Sequence, residues 1–470
     1  MIRATTGTWL NYATTLSFQV LFARRFGSNT SASAFVIAFG LAFAITGLFN
    51  TTAATIALPR LVAEGGVLRS GALRFMAITL VVAGATCVVL AIFAAPVGDL
   101  LIKGGSRGLS TDLVRGTAAF VVLQVIAGEL GIVALARGRR FFPALAPAVP
   151  STAGTMALLA LPAIGAGSLY AVLCLSTIAE IGLLAACIGS SVRVTPGEAP
   201  RLGVVSILTA VELTLLSLVV PAERSVAALH SSHGAAQYYY ASRSLIAVQQ
   251  LLIGGVLLAA MPDWAALLSA DRRQRMANSL VTSVVLGGML LGVAASIALV
   301  SARSLVAFVY QHGDFTPQDT AAVARILVLA LPGFCAEGVG LILSQAVLAA
   351  KRNWLALGIG LAHIVLRLGL IFVLGLRWGA TGVAAAYSVT EVAVLAMQVL
   401  AVRKLGLAAH GDRRLLRDGA VVASGTLASA LAIVALRGTW PQPALALGVM
   451  LVFVTLLYVT RPVEQWMVFR

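Results

Sequence analysis

The chain has 470 residues, of which 60% are hydrophobic and only 11% charged, with a mean hydropathy of +0.98 and a formal net charge of +16. A water-facing surface draws on roughly 25% charged residues, so a soluble enzyme is excluded, and nucleic-acid binding is not the meaning of the positive charge. Cys87, Cys174, Cys187 and Cys335 all lie in apolar stretches without CxxC spacing and read as small buried hydrophobes.

The apolar residues come in blocks of about 20 or more, the length that crosses ~30 Å of hydrocarbon at ~1.5 Å per residue. In chain order they predict fourteen transmembrane helices, near 5–23, 33–58, 73–96, 113–135, 143–165, 168–190, 204–230, 235–261, 277–300, 321–348, 354–376, 379–402, 416–436 and 442–460. Polar residues interrupt the first and the eighth most. The first block reads as a span rather than a cleavable signal. The loops are short and leave no room for a soluble catalytic domain.

Basic residues concentrate in alternate loops. Twenty-one of them, from Arg3 and Arg60, Arg69 and Arg74 through Arg137, Arg139, Arg140, Arg272, Arg273 and Arg275 to Arg461 and Arg470, fall on one side, against eight on the other. Positive charge is retained on the cytoplasmic side, so both termini are expected there, which also requires an even number of spans.

A shift of about 203 residues lays the second span, ending at Pro59, on the eighth, ending at Pro262, each followed by a basic loop. Ser110-Thr111-Asp112 likewise falls near Pro317-Gln318-Asp319. The expected fold is an all-α integral membrane protein of about 14 transmembrane helices. It has two six-helix lobes in pseudo-two-fold arrangement, 1–200 and 201–405, and two further helices in 406–470. Such repeats suit alternating access.

Ionisable groups inside spans are expensive, and so mark function or pairing. Here they are Glu129, Glu180, Glu212, Glu223, Arg224, Arg243, Arg325, Glu337, His363, Arg367 and Glu391. Arg243 follows Tyr238, Tyr239 and Tyr240. A guanidinium fork suits a diphosphate, and aromatic faces suit sugar rings; the alternative is a buried Arg–Glu pair. His363 and Arg367 are four apart and share a helix face. Arg367 is expected to pair with Glu391 or Glu223, either as a permanent ion pair or, with His363 titrating, in a proton-linked cycle. Glu129 and Glu337 occupy matching places in the repeat, as gating or cavity residues or as packing contacts.

The segment Phe308-Val309-Tyr310-Gln311-His312-Gly313-Asp314-Phe315-Thr316-Pro317-Gln318-Asp319-Thr320 resembles the signature loop of the MurJ (MviN) lipid II flippases, in the multidrug/oligosaccharidyl-lipid/polysaccharide exporter superfamily. Locally it reads as a Gly turn, then Thr-Pro opening a helix with Asp in its first turn. Arg25-Phe26-Gly27 with Ala34 to Phe39, and Tyr239-Tyr240-Ala241-Ser242-Arg243, resemble two more motifs of that family.

The resemblance implies a flippase for a polyprenyl-diphosphate-linked saccharide. Arg243, Tyr239, Tyr240, Arg24 and Arg25 would contact the substrate. Glu223 would take the place of an acid that helps form a cation site in some members, while His363 and Arg367 replace the rest of that site. The first span, Trp9 to Gln19, carries none of the family's usual arginines. Lipid II and another envelope or exopolysaccharide precursor therefore both stand as cargo.

The resemblance further implies a bacterial inner-membrane location, a lipid-linked saccharide and membrane lipids as partners, and a monomer working beside envelope-glycan biosynthesis proteins. No nucleic acid, metal or cofactor is expected. Two other classes are weighed: a cation-coupled small-molecule exporter of the same superfamily, and a membrane-embedded polysaccharide polymerase or ligase. The latter needs a large outward loop and clustered catalytic acids, which the chain lacks.

Overall fold

The computed structural model describes all residues except 1, 62–67, 103–106, 140, 162, 190–193, 197–203, 271, 351 and 408–470. The thirteenth and fourteenth expected spans lie outside the described residues. The other twelve are helical. In order they are α1 (Ile2–Phe26), α2 (Thr30–Leu61), α3 (Ser70–Ile92) with the short α4 (Ala94–Leu101), α5 (Arg107–Ala136), α6 (Phe141–Leu145) with α7 (Ala148–Ala160), and α8 (Ala166–Ile188). Then come α9 (Val204–Ala227), α10 (Gly234–Ser269), α11 (Arg273–Tyr310), α12 (Pro317–Ala349), α13 (Asn353–Leu370), a π-helical turn (Ile371–Gly375) and α14 (Leu376–Lys404).

Among the described residues, eight stretches are apolar and long enough to cross a membrane. Helix α3 exposes Val81 and Ile92 at 71% each; such a face is stable only against lipid. The eighth span, whose apolar run polar residues interrupt, is one helix of 36 residues. Propensity is overridden because a backbone in hydrocarbon must satisfy its own hydrogen bonds. The fifth span is split at Ala146-Pro147 into α6 and α7.

The chain forms two compact units. The first comprises Met1–Tyr240 with Tyr310–Asp319 and Gly375–Ala380. The second comprises Ala241–Val309, Thr320–Leu374 and the described residues from Thr381. These contact-based units differ from the repeat lobes, because α9 packs on α2.

In the first unit α5 packs between α2 and α8, and α1 lies on α6 and α7. The Thr117 hydroxyl is 2.9 Å from the Leu113 carbonyl and 3.1 Å from the Tyr170 hydroxyl. Tyr170 in turn sits among Phe35, Phe39 and Phe120. Leu68-Arg69 and Val194-Thr195, from two loops expected on one side of the membrane, form a short parallel ladder.

In the second unit Pro332 lies inside α12. The Ser388 hydroxyl of α14 donates to the Leu329 carbonyl at 2.6 Å and accepts from the Gly333 amide at 3.1 Å. It thus gives a side-chain partner to two backbone groups beside the proline, one way a proline is tolerated in hydrocarbon.

Candidate functional site

At one end of the first unit, three turns close on one another. Helix α1 ends at Gly27, with φ 55°, and the signature loop turns at Gly313, with φ 63°. Both conformations favour glycine. A Cβ on Gly313 would meet the Arg24 carbonyl at 2.2 Å, and one on Gly27 the Asp314 carbonyl at 2.4 Å. The Asp314 amide donates to the Arg24 carbonyl at 2.9 Å.

The signature loop then caps α12. Thr316 and Asp319 hydrogen-bond reciprocally, amide to side chain, at 3.0 and 3.2 Å, in the pattern of a capping box opened by Pro317. Ser28 also donates to Asp319, and His233 and Gln237 join them. The sequence reading foresaw the helix start but not the partners Ser28, His233 and Gln237. No local pattern links positions so far apart in the chain.

Arg24 is exposed at this end, with its carbonyl in the turn. Arg25 borders a cavity of about 490 Å³ with Asn29, Ser31, Ser168 and Asp314. Tyr239 and Tyr240 are not open sugar platforms. Both are buried. The Tyr240 hydroxyl donates to the Gly27 carbonyl at 2.6 Å, and its ring lies against Phe22, Tyr310 and Phe315. The Arg224 guanidinium lies 4.9 Å from the Tyr239 ring centre. The run of tyrosines packs into the core of this end.

Glu223 accepts from the Tyr238 hydroxyl at 3.0 Å. Its neighbour Arg224, also buried, donates to the Val36 carbonyl at 2.5 Å. Gly40 makes room for it, since a Cβ there would lie 2.7 Å from the Arg224 Nη1. Glu129 of α5 is buried, and neither carboxyl oxygen has a hydrogen-bond partner among the described residues. Glu180 of α8 accepts from Gln124 at 2.9 Å.

The second unit brings four of the expected residues into one network. Arg367 donates to Glu391 at 3.1 Å, and His363 Nε2 lies 2.9 Å from the same oxygen. The Arg367 guanidinium lies 4.4 Å from the Tyr387 ring centre. The Tyr387 hydroxyl donates to Glu337 at 2.5 Å, and Gln249 of α10 donates to the same oxygen at 3.4 Å. Of the two partners expected for Arg367, Glu391 is in contact with it. Tyr387 and Gln249 were missed, although Tyr387 stands four residues before Glu391 and so shares its face.

Arg243 is half-buried on α10, about 14 Å along the helix from its start. Among the described residues, no three His, Cys, Asp or Glu side chains gather as metal ligands.

Residues 22–459 match the family profile described as "Lipid II flippase MurJ". A search of curated proteins finds no match. Among solved structures, the chain is similar to the lipid II flippase MurJ in an inward closed conformation, with a TM-score of 0.77, 16% identity and 100% of each chain covered. It is also similar to an inward-facing multidrug resistance MATE transporter, with a TM-score of 0.67 and 14% identity over 85% of this chain and 94% of that one. A further likeness is to a transporter of the same superfamily from Pyrococcus furiosus, with a TM-score of 0.59 and 13% identity over 87% and 94%. At such identities these likenesses concern the fold. The profile match extends over nearly the whole chain, and the chain belongs to the MurJ lipid II flippase family: it is a multi-pass, all-α transporter of that superfamily.

Proposed function

We propose that this MurJ-family transporter carries a polyprenyl-diphosphate-linked saccharide, lipid II or a related envelope precursor, from the inner to the outer leaflet of a bacterial inner membrane. Family membership over residues 22–459 supports the cargo class. The observation that carries the reading is Arg243, a half-buried guanidinium on α10, within the eighth expected span. An arginine inside a span costs several kcal/mol unless it faces water, a partner or an anionic ligand, and its donor fork matches a diphosphate.

The headgroup enters from the inner leaflet while the lipid tail stays in the bilayer. The repeat halves then rearrange so that the site faces the other side. With both termini cytoplasmic, the closed turns at Gly27 and Gly313 face outward, and the Ser28–Asp319 contact is among those that open. Arg24 and Arg25 then meet the headgroup as it leaves. The protein moves its cargo and does no chemistry on it.

Expression in a bacterium depleted of its lipid II flippase tests this. Rescue by the wild-type chain and its loss with Arg243→Ala, at equal membrane abundance, is the expected result. Failure of the wild-type chain moves the cargo to another lipid-linked glycan. Full rescue by Arg243→Ala removes this arginine from the substrate site.

A further inference from the structure

The second unit contains a charge imbalance. Its network holds two carboxyl groups, the half-buried Glu337 and the buried Glu391, against one guanidinium, Arg367. Arginine is always charged in proteins. Arg367 contacts Glu391 directly, and His363 faces that same carboxyl oxygen. Among the described residues Glu337 takes its hydrogen bonds from neutral donors, the Tyr387 hydroxyl and the Gln249 amide, both on Oε2, while the Arg367 charge acts on it without a direct bond. An uncompensated charge in a low-dielectric interior is expensive by several kcal/mol. One additional positive charge makes the network neutral. The guanidinium already stands between Glu391 and the Tyr387 ring, so a hydrated metal cation would enter against its repulsion. A proton brings the same charge and needs no room.

We propose that this network is a single-proton site, with the proton resident on Glu337, and that its loading and release drive the transport cycle. The groups facing it come from every helix of the network: Gln249 on α10, His363 and Arg367 on α13, and Tyr387 and Glu391 on α14. The protonation stands on the network alone; its coupling to transport rests on the flippase reading above.

Infrared difference spectra of the full chain in lipid nanodiscs read the proton directly. A protonated-carboxyl band is expected in the wild type and absent in Glu337→Gln; an unchanged band overturns the site. If that variant does not fold, Tyr387→Phe serves, because it removes a hydrogen bond from the acid. The band must then move, and a stationary band overturns the site equally.

Coupling is read in proteoliposomes with a fluorescent polyprenyl-diphosphate disaccharide as probe. With one proton per cargo, a pH gradient of about one unit shifts the leaflet ratio of the probe about tenfold, while a sodium gradient leaves it unchanged. A ratio that follows sodium and ignores pH overturns the coupling. A wild-type chain that moves no probe yet shows the Glu337 band counts against the cargo and upholds the proton site.

Discussion

Glu129 of the first unit and Glu337 of the second stand at matching places in the sequence repeat, yet their surroundings share little. Glu129 is buried with no hydrogen-bond partner among the described residues. Glu337 is held by Tyr387 and Gln249 and is joined through Tyr387 to Arg367, Glu391 and His363. Arg224 in the first unit donates to the Val36 carbonyl, in space that Gly40 leaves open; Arg367 in the second donates to the Glu391 carboxylate and to the Tyr387 carbonyl. Spacing in a repeat therefore predicts where a polar residue sits, and its partners decide what it does. The first unit uses its buried charge to fix helices; the second gathers charge into a set whose balance depends on one proton.

The largest effect expected from this contrast is at Arg367. Arg367→Met leaves Glu391 buried without its cation and should lower stability by about 3–5 kcal/mol, read as a fall in melting temperature of the purified chain in one detergent. The double variant Arg367→Met with Glu391→Leu should recover most of that loss. If the single variant melts like wild type, the network is not a coupled set.

In the first unit the largest effect belongs to a turn instead. Gly313→Ala puts a side chain at φ 63° against the Arg24 carbonyl, and should cost about 2–3 kcal/mol in the same melting assay. Ser388→Ala follows at about 1.5 kcal/mol, since it strips two backbone groups beside Pro332 of their partner. Tyr240→Phe, losing one bond to Gly27, should cost about 1 kcal/mol. The smallest effect is at Glu129. Glu129→Gln keeps the shape and breaks no described hydrogen bond, so a change within about 0.5 kcal/mol is expected. A loss as large as that of Arg367→Met would erase the contrast between the two units.

Most of the fold was legible because hydrocarbon thickness dictates helix length. All twelve expected spans among the described residues are helices, displaced by a few residues at their ends. Breaks inside a span were harder. The Ala146-Pro147 turn and the π-helical turn at Ile371–Gly375 depend on how neighbouring helices meet backbone groups, which periodicity does not encode. At the site, residues four apart on one helix were readable as a shared face, and His363 and Arg367 do meet the same carboxylate. The burial of Tyr239 and Tyr240 was not legible, because adjacent tyrosines point in different directions and only packing tells which rings remain open. Asp319 was read as a helix start, and so it is. Its bond to Ser28 required the fold.

Translocation of a lipid-linked diphosphate saccharide through a site containing Arg243 is the proposal on which the rest depends. The most direct measurement is the rate at which a polyprenyl-diphosphate disaccharide changes leaflet in proteoliposomes holding the purified full chain. Protein-dependent translocation is expected, falling by about tenfold or more in Arg243→Ala, the loss of one charged contact of about 1.5–3 kcal/mol, with Arg243→Lys in between. Equal rates in wild type and Arg243→Ala, or a wild-type rate no faster than empty liposomes, would contradict it.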